Sequence, residues 1–290
     1  MKAELIIETA FTVRVGAKAV HGLFHAGEWE GMNKYQDQAG RTLILNDGAI
    51  VKGSPELLAM LSDIPDGFVQ VPETKLPNGL IVPAFKVAQH VAAKGEDGKP
   101  VFDGTHKPWV NINFHDAKNI CKESGFGMIT ETQWLAIAWN LSQQDINWTG
   151  GKVGEGDLFQ GIRNGGDAKP GNYTPEESSE RRWMTLSNGE KLCDFNGNVF
   201  QWVFDDVQGD EHGVIAKAFA SDSPTRTTPP FESMQKGMGW RPGCTDWSGF
   251  ALFRGGFWGS GNGAGVFLLA GDYPGVEDDG IGFRCTKSLG

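Results

Sequence analysis

The chain has 290 residues and a formal net charge of −10, long enough to bury a sizeable core as one large domain or as a main domain with a smaller one. That acidity argues against nucleic acid, whose phosphates are bound through excess Lys and Arg, and suits anionic lipid poorly. The 41 glycines and 10 tryptophans point instead to a loop-rich fold in which large indoles fill space that regular elements leave open.

No apolar run approaches the roughly 18–20 residues of a membrane span, so membrane insertion is not expected. Acids stand among Met1-Lys-Ala-Glu-Leu-Ile-Ile-Glu-Thr9, where a signal peptide carries an apolar stretch. The expected location is therefore cytoplasmic or virion-associated. Cys121, Cys193, Cys244 and Cys285 are scattered without a CxxC pair, which argues against a zinc site or a thioredoxin-like motif.

In chain order, residues 1–64 differ from the rest. Leu5–Val15 and Thr42–Leu45 read as strands. Ser54-Pro55-Glu56 followed by Leu57, Leu58 and Leu61 reads as a short helix with Ser as N-cap and Pro at the first position. This region is either a small mixed domain or an oligomerisation extension, and the sequence leaves both open. His21 and His25 have a ligand-like i,i+4 spacing, but Gly22 and Gly27 argue against a helix there and no third partner is evident.

A main domain over residues 65–290 begins after Asp63-Ile-Pro-Asp-Gly67. Phe68–Val71 and Leu80–Val87 read as strands, and Ala92–Gly104 as a polar loop. Asn113 is placed to cap a helix carrying Ala117, Ile120 and Cys121 and ending at Gly125. Thr130-Glu-Thr-Gln133 forms a capping box, after which Trp134, Ile137, Ala138 and Leu141 recur at helical spacing as core positions. Residues 142–190 and 205–250 are loop-rich. Between them, Asp194-Phe-Asn-Gly-Asn-Val-Phe-Gln-Trp202 reads as an Asn-Gly turn flanked by strands. Two helices followed by turn-separated short strands imply an α+β domain.

Three blocks, in order, resemble the formylglycine-generating enzyme (sulfatase-modifying factor) branch of the C-type lectin fold. They are Val110–Cys121 continued by Met128-Ile-Thr-Glu-Thr-Gln-Trp134, then Leu192–Trp202, then Arg254-Gly-Gly-Phe-Trp258 with Ile281-Gly-Phe-Arg-Cys285. The resemblance covers about 66–287. It implies two helices with short twisted antiparallel strands and long loops, and a Cys121–Cys285 pair close in space, bridged only in an oxidising compartment. The family's oxidase needs a copper-binding cysteine pair between the last two motifs, and Gly255 to Phe283 contains no cysteine. Catalytic residues are therefore not expected. An oxidoreductase of this type working through Cys193 and Cys244 is the alternative. In the second block Asn198 and neighbouring carbonyls suit a structural calcium, although Gln201 stands where the family has an acid; no other cofactor is expected.

The last segment also resembles the variable proteins of diversity-generating retroelements, including phage receptor-binding tips. In those systems adenine-directed mutagenesis rewrites AAY codons between fixed scaffold positions. Gly259, Ser260, Gly263, Ala270, Asp272, Tyr273, Asp278, Asp279 and Gly280 stand where such Asn codons would be, and all are reachable by changing adenines alone. Phe257 is a further candidate. The interval holds no Lys, Gln or Met, which that route cannot supply, whereas Trp258 and Glu277 are unreachable and count as fixed. The resemblance implies a non-enzymatic protein whose segment 254–285 presents these residues to a protein or cell-surface ligand, with Phe257 and Tyr273 as aromatic anchors and the Asp trio as an acidic rim.

Overall fold

The computed structural model describes residues 4–7, 11–15, 18–47, 49–54, 57, 67–241, 243 and 246–289. Two compact units divide the chain, Met1–Asp66 and Gly67–Gly290.

In the first unit β1 (Glu4–Ile7), β2 (Phe11–Val15), β3 (Lys18–Trp29), β4 (Met32–Gln36), β5 (Thr42–Asn46) and β6 (Ala49–Gly53) form one antiparallel sheet in sequence order. The single strand expected over Leu5–Val15 is thus a pair, β1 and β2, whereas Thr42–Leu45 lies within β5. Glu30 and Gly31 both take positive φ, 51° and 76°, the two-residue turn that matches strand twist and closes β3 onto β4. Val13, Val20, Leu23, Tyr35, Leu43, Leu45 and Leu57 form the core of this unit. Most of the helix expected around Ser54–Leu61 lies outside the described residues. His21 and His25 sit on the extended β3, about 13 Å apart along such a strand. His21 contacts Thr12 Oγ1 at 3.0 Å and His25 contacts Asn33 Oδ1 at 3.3 Å, so they do not form a ligand pair.

The second unit has few helices and many strands. Helix α1 (Phe114–Glu123) starts where Asn113 Oδ1 accepts the Asp116 N–H at 3.0 Å, and stops before Gly125 at φ 78°. Helix α2 (Glu131–Ser142) carries the reciprocal box: Gln133 N–H donates to Thr130 Oγ1 at 3.2 Å, and Thr130 N–H to Gln133 Oε1 at 3.0 Å. Trp134, Ile137, Ala138 and Leu141 are fully buried. The Trp134 ring stacks on Phe195 at 4.0 Å and its Nε1–H donates to Val266 O at 2.7 Å, so the indole enters the core without an unpaired donor. A one-turn helix at Pro224–Thr227 is the only other α-helical turn among the described residues of this unit.

Two four-stranded sheets organise the unit. One runs Gly127–Met128, Cys285–Ser288, Phe85–Ala88, Phe68–Val71; the other runs Gly265–Asp272, Ala251–Gly255, Phe200–Val203, Ile281–Phe283, with its last pair parallel. The run expected over Leu80–Val87 divides into Ile81–Val82 and Phe85–Ala88, which serve different sheets. The Asn-Gly turn does not close a hairpin. Lys191–Cys193 pairs with Trp183–Thr185, whereas Phe200–Val203 belongs to the second sheet. Positive φ at Asp194, Gly197 and Asn198 carries the buried chain between the two. Cys121 on α1 and Cys285 lie with their sulfurs 3.1 Å apart, buried and unbridged.

Candidate binding face

Arg254 pins the segment from inside. Fully buried, it donates Nε–H to Glu131 Oε2 at 2.9 Å, pairs again through Nη2 with Glu131 Oε1, and donates Nη1–H to Phe267 O at 3.0 Å. Thr225 Oγ1 also donates to Glu131 Oε1, at 2.8 Å. A buried carboxylate is tolerable here because both oxygens are paired. The register slips at Arg254/Gly255, and Gly255 and Gly256 take φ of 90° and 97°. A Cβ on Gly256 would lie 2.9 Å from Ala264 Cα, so this exit from the sheet requires glycine.

The chain from Phe257 to Gly263 is sewn to its neighbours through the backbone. Trp258 N–H donates to Asn198 O at 3.0 Å, Gly165 N–H to Trp258 O at 2.8 Å, and Gly261 N–H to Arg163 O at 2.8 Å. Ser260 turns its Oγ inward to accept the Phe257 N–H at 2.9 Å. Phe257 is partly buried, stacked on Phe200 at 4.9 Å. Gly259 and Gly280 lie against the same ring, since a Cβ on either would come within 2.9 Å and 2.7 Å of it. Asp278 Oδ1 accepts the Gly280 N–H at 2.7 Å. Phe257, Gly259, Asp278 and Gly280 therefore converge at one end of the hairpin formed by Ala251–Gly255 and Gly265–Asp272.

Asp272 and Tyr273 lie at the other end, because Ala251 pairs with Asp272 and Gly255 with Gly265. Four residue steps of strand put the two ends about 14 Å apart. Tyr273 is 64% exposed, and its ring meets Phe250 edge-on at 4.8 Å. The stretch 274–280 returns under the start of α1: Phe114 N–H donates to Pro274 O at 3.1 Å and Asn111 N–H to Asp278 O at 2.9 Å.

The expected contact residues thus separate. Gly259, Tyr273, Asp278 and Asp279 are exposed; Phe257, Ser260, Gly263 and Asp272 are partly so. Ala270 and Gly280 are corrections. Ala270 is 7% exposed and packs in the core that holds Cys121 and Trp202, facing inward opposite Phe253, while Gly280 is buried beneath Phe257. One residue was missed. Trp240 is 48% exposed and donates its backbone N–H to Gly263 O at 2.8 Å, which adds an aromatic from the 205–250 insertion to this surface. Its only signal in sequence is a tryptophan between Gly239 and Arg241 in a loop-rich stretch.

Asn198, the residue expected to suit a calcium ion, has its side chain engaged by the protein. It is fully buried, its Oδ1 accepts the Lys169 N–H at 2.8 Å, and its Nδ2 donates to Lys169 O and Asp194 Oδ2. The oxygens beside it already face a cation. Arg182 donates Nε–H to Asp194 Oδ1 at 2.7 Å and Nη1–H to Pro170 O and Tyr173 O. The Asn198 amide and both Asp194 oxygens are already engaged by protein partners, so this arrangement does not fit a calcium ion. Among the described residues no group of three or more His, Cys, Asp or Glu is arranged to hold a metal ion.

Burial pushes the Cys193 thiol well above its ordinary value, with Asp194 adding to the rise. A nucleophilic or copper-binding sulfur needs the opposite, a stabilised thiolate. Cys244 lies outside the described residues.

The structure of PvdO from Pseudomonas aeruginosa is 16% identical over 77% of this chain and 94% of its own, with a TM-score of 0.42. Treponema denticola variable protein 1 is 15% identical over 77% and 94%, with a TM-score of 0.40. The Major Tropism Determinant U1 variant is 11% identical over 99% and 83%, with a TM-score of 0.39. No curated protein matches the chain. The family profile of the sulfatase-modifying factor enzyme 1-like domain matches residues 59–289. Covering most of the chain, that match shows that the protein belongs to the sulfatase-modifying factor enzyme 1-like domain family.

Proposed function

We infer that this protein is a non-enzymatic ligand-binding member of its family, displaying a diversified C-terminal face to a protein or cell-surface ligand. The carrying observation is the division within 254–285 between a pinned scaffold and free side chains. Arg254, Gly255, Gly256 and the strand Ile281–Phe283 are buried, whereas Gly259, Tyr273, Asp278 and Asp279 point to solvent. A backbone fixed before binding loses little entropy when the ligand arrives, so exchanging surface side chains changes specificity without rebuilding the frame.

Tyr273 and Trp240 are the aromatic anchors, and Asp272, Asp278 and Asp279 bias the surface toward a basic or polar partner. The two ends of the hairpin, about 14 Å apart, both fit beneath a standard interface of roughly 800 Å² per partner. Function in this fold resides in the site, and the interval from Gly255 to Phe283 carries no thiol.

Sequencing the encoding locus tests this reading. A near-identical copy of the codons for 254–285, differing only at adenines and lying beside a reverse transcriptase gene, is the expected finding. Tight Cu(I) binding with thiol-dependent oxygen consumption would overturn it in favour of the oxidase.

A further inference from the structure

The sheet of the first unit breaks its own alternation at one place. In β5, Leu43 and Leu45 face the core, so Ile44 points to the opposite side, yet it is only 5% exposed. Its cross-strand neighbours explain the burial. Lys34 on β4 and Lys52 on β6 flank it directly, which makes a Lys-Ile-Lys row across three strands. Lysine stems cover apolar surface while their ammonium groups stay wet. Trp29, at the end of β3, completes the arrangement with the Lys52 ammonium 5.0 Å from its ring centre.

These side chains line a groove of about 360 Å³ together with Thr42 and Ser54. Neither Lys34 nor Lys52 forms an ion pair among the described residues, in a protein whose net charge is −10. Two lysines with no ion pair among the described residues, an indole at one side and hydroxyls at the other form a site with a definite chemistry. The indole offers a flat surface to the C–H face of a ring, the ammonium groups take a carboxylate, and the hydroxyls suit ring hydroxyls. The volume fits one or two sugar rings. A polyanion such as nucleic acid is disfavoured by the charge of the whole chain.

We propose that the Trp29–Lys34–Lys52 groove binds a saccharide bearing a carboxylate. This site lies wholly within the first unit and is independent of the C-terminal face.

Calorimetric titration of the full chain with a glucuronate-containing disaccharide, its neutral glucose counterpart and inorganic phosphate tests the assignment. The acidic disaccharide is expected to bind at least about tenfold more tightly than the neutral one, and the double variant K34Q/K52Q to lose about tenfold or more. Glutamine keeps much of each lysine's apolar stem over Ile44, and the unfolding midpoint of the variant checks that the fold is retained. The variant W29L is expected to weaken the acidic and neutral sugars alike. Equal affinity for the two disaccharides, no binding of either, or an unchanged affinity in K34Q/K52Q overturns the proposal. Phosphate binding as tightly as glucuronate reduces the groove to a plain anion site and overturns it too.

Discussion

Tyr273 and Phe257 read alike in sequence, two aromatics in a glycine-rich stretch, but their surroundings give them different tasks. Phe257 is stacked on Phe200 with Gly259 and Gly280 against its ring, so Phe257→Ala is expected to cost about 2–3 kcal/mol in urea unfolding. Tyr273 touches Phe250 by its edge and is otherwise wet, so Tyr273→Ala costs no more than about 1 kcal/mol while weakening ligand capture. Asp205 supplies a pH test. Its Oδ1 accepts the Val207 and Gln208 N–H groups, its buried Oδ2 has no hydrogen-bond partner among the described residues, and burial, with Glu131 and then Asp206 nearby, raises it to about 6. An unfolded Asp titrates near 3.9, so the folded state binds the extra proton between those values. Stability is therefore full below about pH 4 and falls as pH rises through 6, by up to roughly 3 kcal/mol for this group. Asp205→Asn is expected to remove that slope; an unchanged profile contradicts the assignment.

At the scale of elements, the buried Arg254–Glu131 pair joins the start of α2 to the strand that launches the C-terminal segment. Arg254→Ala leaves a buried carboxylate with Thr225 as its remaining side-chain hydrogen-bond donor among the described residues and is expected to cost about 3–5 kcal/mol. Combining Arg254→Met with Glu131→Leu should restore much of that loss in a double-mutant cycle, whereas additive losses contradict the pairing. Local signals made both helices legible: the Thr130 box and the Asn113 cap are complete within four residues. The pairings of the strands in the second unit were not legible, because strands mostly of two to five residues gain their places from partners far along the chain. The Asn-Gly turn illustrates this, since its positive-φ residues lead between sheets rather than around a hairpin. Ala270 and Gly280 were misplaced for a related reason: alanine and glycine carry no side-chain signal of burial, and only the register with Phe253 and the seat under Phe257 decide it. The carboxylate that Asn198 contacts, Asp194, is paired with Arg182, sixteen residues upstream of Asn198, which no spacing rule reveals.

Across the whole molecule the division of labour follows the two units. Gly67–Gly290 holds its own hydrophobic cores, including Trp134, Trp202 and Phe283, and is expected to unfold cooperatively when expressed without residues 1–66. Loss of a cooperative transition in that fragment contradicts its independence. The central claim, a stiff frame bearing replaceable side chains, is tested most directly by a saturation scan of 254–285 read out by protease resistance of the displayed protein. Tyr273 and Asp279 are expected to accept nearly every residue, whereas Arg254, Gly256, Ala270 and Gly280 accept almost none. Uniform intolerance across the exposed positions, or free substitution at Arg254 and Gly256, contradicts it.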